Sequence, residues 1–241
     1  MPGRFDRLVA AAWPAPYTER FGEWRLRYAA GVTKRANSVL PLGDPGDLQA
    51  AIEGAESFYA ARDLPAMFSI GDGAWRGLDG ALGARGYEVA DPTLVMAADL
   101  SASTAAAIAS GHATASIDDA PSREWLDLWW SVNDRYPDHL DIARRILTGV
   151  PASYVRLGGG RAVGRGVAQG EWYGIYCMAV APAARGRGLG RAVLRTLLEV
   201  ARSQGARRAY LIVVEGNAAA RRLYEQEGFR VAGRYHYRVR A

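Results

Sequence analysis

The sequence predicts an α/β (α+β) fold, a mixed central sheet flanked by helices. Three observations carry this reading. Apolar runs of strand length alternate with segments of helical period from Arg161 to Arg240. A loop of three glycines and three arginines, Arg185–Arg191, stands between one such strand and the helix that follows it. The first hundred residues repeat the same order of elements more faintly.

Taken in order, "EWRLRYAAG" and "RANSVLPLG" read as two strands, rich in branched and aromatic residues. "DPGDLQAAIEGAESFYAARD" reads as a helix with Asp44 as its cap. "LPAMFSI" is a strand, "AWRGLDGALGARG" a helix, and "YEVA" and "TLVMAADL" two further strands. Phe58, Tyr59, Phe68, Ile70, Leu78, Leu82 and Tyr87 recur on these elements as a core requires.

The Ala- and Ser-rich stretch 101–123 holds a strand and a linker and marks a boundary. The expected domains are therefore 1–100 and 122–241, joined by 101–121. Two helices follow, with a break around Tyr136 and Pro137. Trp125 and Trp129, four residues apart, read as core. Trp130 and Trp172 are candidates for lining an aromatic pocket, and Asp134 and Asp138 for attracting a cationic amine, although acids in such a break are commonly just solvated.

"YGIYCMAVAP" is too short for a buried helix and reads as a buried strand, Tyr173–Val180. After the Gly/Arg loop, Leu189, Ala192, Val193, Leu197, Val200 and Ala201 form one helix face, closed by Gly205. "RRAYLIVVEG" is the next strand. "NAAARRLYEQEGF" is a short helix with Asn217 as N-cap and Gly228 as its stop. "FRVAGRYHYRVR" alternates like two strands with a turn near Gly233.

Composition narrows the class. Hydrophobic residues at 49% and charged residues at 23% are ordinary for a folded soluble protein, and no apolar run reaches the ~18 residues of a membrane span. The expected location is cytoplasmic, with no membrane partner. The single cysteine, Cys177, excludes an internal disulfide framework, and the three histidines show no metal spacing, so no metal is expected. Of the net charge of +5, the segment 182–241 carries +9 and the rest −4, which points to an anionic ligand of the C-terminal part.

The loop specifies that anion. A helix start presents backbone N–H groups without helical partners and the positive end of the helix dipole. Glycines let an anion reach the backbone, and arginines add full charges. The segment is built to hold phosphates, most simply a pyrophosphate. Its spacing is neither the P-loop nor the dinucleotide fingerprint. It reads R-x-x-G-x-G as Arg185, Gly188 and Gly190, followed by N-x-x-A-x-x-L-Y-x-x-x-G-F from Asn217 to Phe229.

With both motifs at these distances, the sequence resembles the GNAT superfamily of acetyl-CoA-dependent N-acetyltransferases, over about residues 122–241. The resemblance implies a GNAT fold and acetyl-CoA as co-substrate. It implies that Met178, Ala179 and Val180 pair with pantetheine beside a β-bulge. It makes Arg185, Gly186, Arg187, Gly188, Leu189, Gly190 and Arg191 the pyrophosphate loop, Asn217 a contact to the pantetheine arm, and Tyr224 the proton donor to the leaving thiolate. A base must take the amine proton; Glu171 is the simplest choice, with Tyr173, Tyr176 and Glu215 as alternatives.

The repeated element order suggests a degenerate GNAT-like N-terminal half. There "LGDPGDLQ" stands in place of the phosphate loop and Leu82 in place of the tyrosine, so no CoA is expected to bind it. The expected function is transfer of an acetyl group to a primary amine of a small molecule or peptide. A CoA-binding scaffold without catalysis is the alternative; nucleic acid is disfavoured, and a homodimer is compatible with the chain.

Overall fold

A computed structural model describes residues 3–101, 115–133 and 139–240 of the 241-residue chain. Eleven strands form one mixed sheet. The N-terminal part supplies β1 (Tyr17–Phe21), β2 (Trp24–Tyr28), β3 (Val39–Pro41), β4 (Met67–Ile70) and β5 (Glu88–Asp99). The C-terminal part supplies β6 (Ser116–Asp118), β7 (Ser153–Leu157), β8 (Ala162–Gln169), β9 (Trp172–Val180), β10 (Arg208–Val214) and β11 (Arg230–Val239). Their spatial order is β1-β2-β3-β4-β11-β5-β10-β9-β8-β7-β6.

That order contains an exchange. From β1 to β5 and again from β7 to β11 the α/β order is strand, strand, strand, helix, strand, helix, strand, and each run has one parallel pair: β3 with β4, and β9 with β10. The last strand of each part is then built into the other. β11 lies between β4 and β5, and β5 lies between β10 and β11, all antiparallel. The β5–β11 ladder runs from Arg230 opposite Ala97 to Val239 opposite Glu88.

Seven α-helices cover the sheet among the described residues: α1 (Arg4–Ala12), α2 (Leu48–Ala60), α3 (Leu78–Ala84), α4 (Arg123–Asn133), α5 (Leu140–Leu147), α6 (Leu189–Ser203) and α7 (Ala218–Gln226). Strand period two sorts the core. On β10, Leu211 and Val213 pack on the face covered by α6 and α7, while Tyr210 packs on the face covered by α1, α4 and α5. A third cluster joins α2 and α3 to β2–β4 and contains Phe58, Tyr59, Phe68, Leu78, Leu82 and Tyr87, with Ile70 against it. Trp125 and Trp129 are buried, Trp125 donating from Nε1 to the Val155 carbonyl at 3.1 Å.

A buried cation ties the helical layer to the sheet. Arg165 on β8 is fully buried and donates to the carbonyls of Ala12 at 2.9 Å and Leu147 at 2.8 Å, the last residues of α1 and α5. Its charge is met by the negative ends of two helices.

Several sequence expectations are corrected. "FRVAGRYHYRVR" is one strand; Gly233 is no turn, because the residue before it bulges out of the β5 ladder and the strand continues. "YEVA" and "TLVMAADL" are likewise one strand, β5, in which Asp91 at φ 47 marks a second bulge. Such bulges look like breaks in a sequence because they interrupt the alternation. The cap of α2 is Asp47, whose carboxylate accepts from Ala50 N at 3.0 Å; Asp44 closes the preceding turn on Gly46 N at 2.8 Å. Helix α1 and strand β1 went unread, although Phe5, Leu8, Val9 and Ala12 carry helical spacing. Of the 101–123 stretch, β6 is described and 102–114 lie outside the described residues, as do Asp134, Tyr136, Pro137 and Asp138.

Deleting residues 1–100 removes a strand from between β10 and β11. The 101–241 fragment should therefore show no cooperative thermal unfolding by circular dichroism. A sharp transition near that of the full chain would mean that the C-terminal part closes its sheet without β5.

Candidate active site

Strand β9 positions the site. It pairs in parallel with β10 only from Trp172 to Ile175, opposite Arg208 to Leu211. On its other side β8 holds it to Val180, but the register slips between Val163, opposite Ala179, and Arg165, opposite Tyr176. The extra residue is accommodated at Cys177, whose φ is +55. This bulge steers the carboxyl half of β9 away from β10. A cleft of about 370 Å³ opens between the two strand ends. Met178, Ala179 and Val180 thus lie on a strand whose β10-facing edge has no ladder partner.

The Gly/Arg loop follows directly. Pro182–Ala184 form a 3-10 turn, and Gly186 and Gly188 take φ of +73 and +76. A Cβ at Gly186 would meet nothing within 4 Å, and at Gly190 only Leu223 and Val180 at 3.7 Å. Backbone conformation, not packing, selects glycine at 186 and 188. Gly188 caps α6 without any side-chain hydrogen bond, and the first helical bond is Ala192 N to Gly188 O at 3.0 Å. The amides of Leu189, Gly190 and Arg191 therefore have no acceptor within the helix.

The three arginines are not equivalent. Arg185 and Arg187 are exposed beside the loop; Arg185 reaches the Val180 carbonyl at 3.4 Å. Arg191 turns back to Glu227, at 3.0 Å, and to Gln226, and Arg195 forks onto the same Glu227 at 2.8 and 3.0 Å. The Arg191 side chain braces α6 against the end of α7; at the loop it offers its backbone amide.

Asn217 and Tyr224 both line the cleft. Asn217 caps α7, its Oδ1 accepting from Ala220 N at 3.1 Å, which leaves Nδ2 as its donor. Tyr224 is buried with no hydrogen-bond partner for its hydroxyl among the described residues, and burial pushes its phenol up to about 12. It therefore stays protonated across the working range. The Cys177 thiol, on the cleft wall, is pushed up to about 12 by burial and is a neutral group.

The structure does not bring Glu171 to this cleft. Glu171 sits in the turn before β9, exposed, 3.6 Å from Arg207, while its carbonyl accepts the amides of Arg207 and Arg208. It lies at the amino end of the strand whose carboxyl half forms the cleft. Tyr173 is buried beneath Gly166. Tyr176 reaches the cleft, with its hydroxyl 2.6 Å from that of Tyr210 and its phenol pushed far up by burial. Glu215 is exposed and lines no part of the cleft. Trp130 lines the cleft, whereas Trp172 packs edge-on against Phe5 with ring centres 5.5 Å apart.

The opposite wall comes from the N-terminal part: Trp13, Lys34, Arg35, Asp91 and Thr93, joined by Tyr235 and Tyr237 of β11. None of these carries a motif. They reach the site because β5 is inserted beside β10, which brings the Asp91 bulge and its partner Lys34, 2.8 Å away, to the mouth of the splayed strands. Asp91 is the one carboxylate that lines the cleft among the described residues. Among these residues no group of acidic, cysteine or histidine side chains could hold a metal ion, and no helix is long and apolar enough to cross a membrane.

A splayed parallel pair, a bulge and a donor-rich helix start define a GNAT-type N-acetyltransferase. The chain belongs to the family described as "Probable histone acetyltransferase Rv0428c C-terminal", whose model matches residues 4–238. It is 32% identical over 244 residues to "Uncharacterized N-acetyltransferase YobR" of Bacillus subtilis, covering 98% of each chain. Among solved structures it resembles a "GCN5-related N-acetyltransferase from Kribbella flavida", with TM-score 0.69, 17% identity and 97% and 94% of the two chains covered. It also resembles a "Tandem GNAT protein from the clavulanic acid biosynthesis pathway", with TM-score 0.65, 15% identity and 98% and 86% covered.

Because Cys177 is the sole cysteine, its chemistry can be read alone. With burial pushing it up to about 12, the thiol should react with iodoacetamide at pH 8 much more slowly than a free thiol. Alkylation at the free-thiol rate, followed by mass spectrometry, would show that the bulge leaves it open to solvent.

Proposed function

We propose that the chain transfers the acetyl group of acetyl-CoA to a primary amine in a ternary complex, with no acyl-enzyme. The observation that carries this is the convergence on one cleft of an unpaired β9 edge, the Gly186–Arg191 amides of the following loop, and the protonated Tyr224 of α7. The residues fit the co-substrate. The glycines at positive φ and the uncapped start of α6 form an anion cradle flanked by Arg185 and Arg187. The N-terminal counterpart is closed to phosphate, because Asp47 spends its own carboxylate on the start of α2.

Acetyl-CoA supplies the acetyl thioester: the amine nitrogen bonds to the acyl carbon as the C–S bond breaks, the nitrogen loses a proton and the sulfur gains one. The loop amides and Arg185 hold phosphates, and the free β9 edge at Met178–Val180 aligns the arm between β9 and β10. Holding both reactants in one cleft supplies much of the rate. Tyr224 gives its proton to the departing thiolate; that transfer is uphill for a thiol of ordinary pKa ~8.5, and the same dry cleft narrows the gap by destabilising the thiolate. Asp91 takes over the role expected of Glu171. It is the carboxylate on the cleft wall, placed to receive the amine proton directly or through water.

Tyr224→Phe should leave acetyl-CoA affinity, measured by calorimetry, unchanged and lower kcat about 10²–10⁴-fold in a free-CoA release assay. Gly188→Glu should abolish the calorimetric signal, since it sets a carboxylate and a strained φ at the cradle. Binding that survives Gly188→Glu would refute the loop assignment, and full turnover of Tyr224→Phe would leave water as the proton source. Since the folded-state phenol titrates near 12, the rate should rise with pH as the amine deprotonates and show no descending limb below about pH 11.

Asp91→Asn should lower kcat/KM at pH 7 about ten-fold or more and move the ascending limb of that profile to higher pH. An unchanged profile would exclude a proton-accepting role.

A further inference from the structure

A second, larger cavity of about 810 Å³ lies beside the cleft and shares a wall with it: Arg35, Tyr235 and Tyr237 face both spaces. It is enclosed by α1, β2, the ends of β3 and β4, and β11, so both parts of the chain build it.

Among the described residues, two arginines of this cavity, Arg27 and Arg35, form no salt bridge; the Asp6 carboxylate attracts Arg27 without bonding it. Arg27 is 4% exposed and forms no salt bridge; Nε donates to the Ser38 carbonyl at 3.0 Å and one terminal nitrogen to Ser38 Oγ at 2.8 Å. Its other terminal nitrogen makes no hydrogen bond among the described residues. Arg35 lies 4.9 Å over the Trp13 ring and has a buried Nε without a hydrogen-bond partner. Leaving a buried guanidinium without a bonded carboxylate is costly, and Arg27, with the half-buried Arg35 on the same cavity wall, marks a place where an anion belongs.

Two carboxylates line the same cavity elsewhere. Asp6 accepts the Gly73 amide at 2.7 Å and Asp72 accepts the Gly3 amide at 3.3 Å. Neither closes an ion pair with Arg27 or Arg35. Burial, with Asp72 nearby, holds the Asp6 carboxyl above its usual range. The cavity therefore offers cations next to the catalytic cleft and acids at the α1–β4 end.

We propose that this cavity is the acceptor chamber and that the acceptor is a small zwitterionic amine, its carboxylate or phosphate held by Arg27 and Arg35 and its amine passing the Tyr235–Tyr237 wall into the cleft. The inference rests on the acetyltransfer reading above. Because Arg35 stands at the junction, the anion lies within a few bonds of the reacting nitrogen, as in a free amino acid. Asp6 and Asp72 favour a cationic or hydroxylated far end. A lysine side chain within a protein lacks that neighbouring anion.

The test uses the full-length protein with free amino acids, small phosphorylated amines, the neutral methyl ester, amide or dephosphorylated form of each, and a lysine-containing histone-tail peptide. Binding is read by calorimetry and transfer by CoA release. Anionic amines should be preferred over their neutral forms. Arg27→Gln should raise the acceptor KM about ten- to hundred-fold, the range for a lost charge-assisted hydrogen bond, without changing KM for acetyl-CoA. Ser69→Phe, which fills the cavity from β4, should do the same and covers the case in which Arg27→Gln fails to fold. Whether carboxylates or phosphates bind better identifies the source of the anion.

Transfer that is equally good to neutral amines, that favours the peptide, or that is indifferent to both variants overturns the acceptor chamber while leaving the acetyltransferase reading intact. Arg27-dependent binding of zwitterions with no CoA release supports the anion site and overturns the acetyltransfer reading. No binding and no transfer overturn both.

Discussion

The β5–β11 ladder is the constraint from which the rest of the structure follows. Each strand belongs in sequence to one part of the chain and in space to both, since β5 has β10 and β11 as neighbours and β11 has β4 and β5. A sheet interior that is hydrogen-bonded on both edges cannot be parted without exposing a row of backbone donors and acceptors. The exchange therefore fixes the angle and register of the two parts together, and with them everything built across the junction. The N-terminal wall of the cleft and the cavity that holds Arg27 and Arg35 owe their place to it.

The two parts use the same scaffold with opposite electrostatics. After β9, the helix start is left uncapped by any side chain, with glycines at positive φ, so its donors stay available. After β3, the corresponding helix start is closed by Asp47. One helix terminus keeps its donors free and the other is closed by its own side chain. Arg165 shows the same logic at the other pole of a helix: the carbonyl ends of α1 and α5 take up a buried cation.

Much of the C-terminal site was legible because its chemistry is local. The cradle needs glycines at fixed positions, and Asn217, Tyr224 and Gly228 are spaced along one short helix, so a contiguous stretch states them. Gly188 and Asn217 stand where the sequence puts them, at the starts of α6 and α7. What depended on long-range pairing was not legible. Gly233 looked like a turn because nothing nearby reveals that β11 has a partner on each side. Glu171 looked close to the chemistry because strand length hides which end of β9 opens. Lys34, Arg35 and Asp91 carry no motif and enter the site only through the insertion of β5.

The exchange also dictates when the protein can finish folding. When strand β5 leaves the ribosome, neither of its neighbours, β10 nor β11, has been made. Roughly 130 residues separate the end of β5 from β11, about 7–25 s of synthesis at ~5–20 residues per second. Until β10 is made β5 has no partner, and until β11 is made one of its edges stays open, the kind of edge that recruits chaperones or the wrong partner. Completion waits for β11, so synthesis of that strand is the step that commits the molecule to its native state, and a chain cut before it would leave the N-terminal part as incomplete as the C-terminal one.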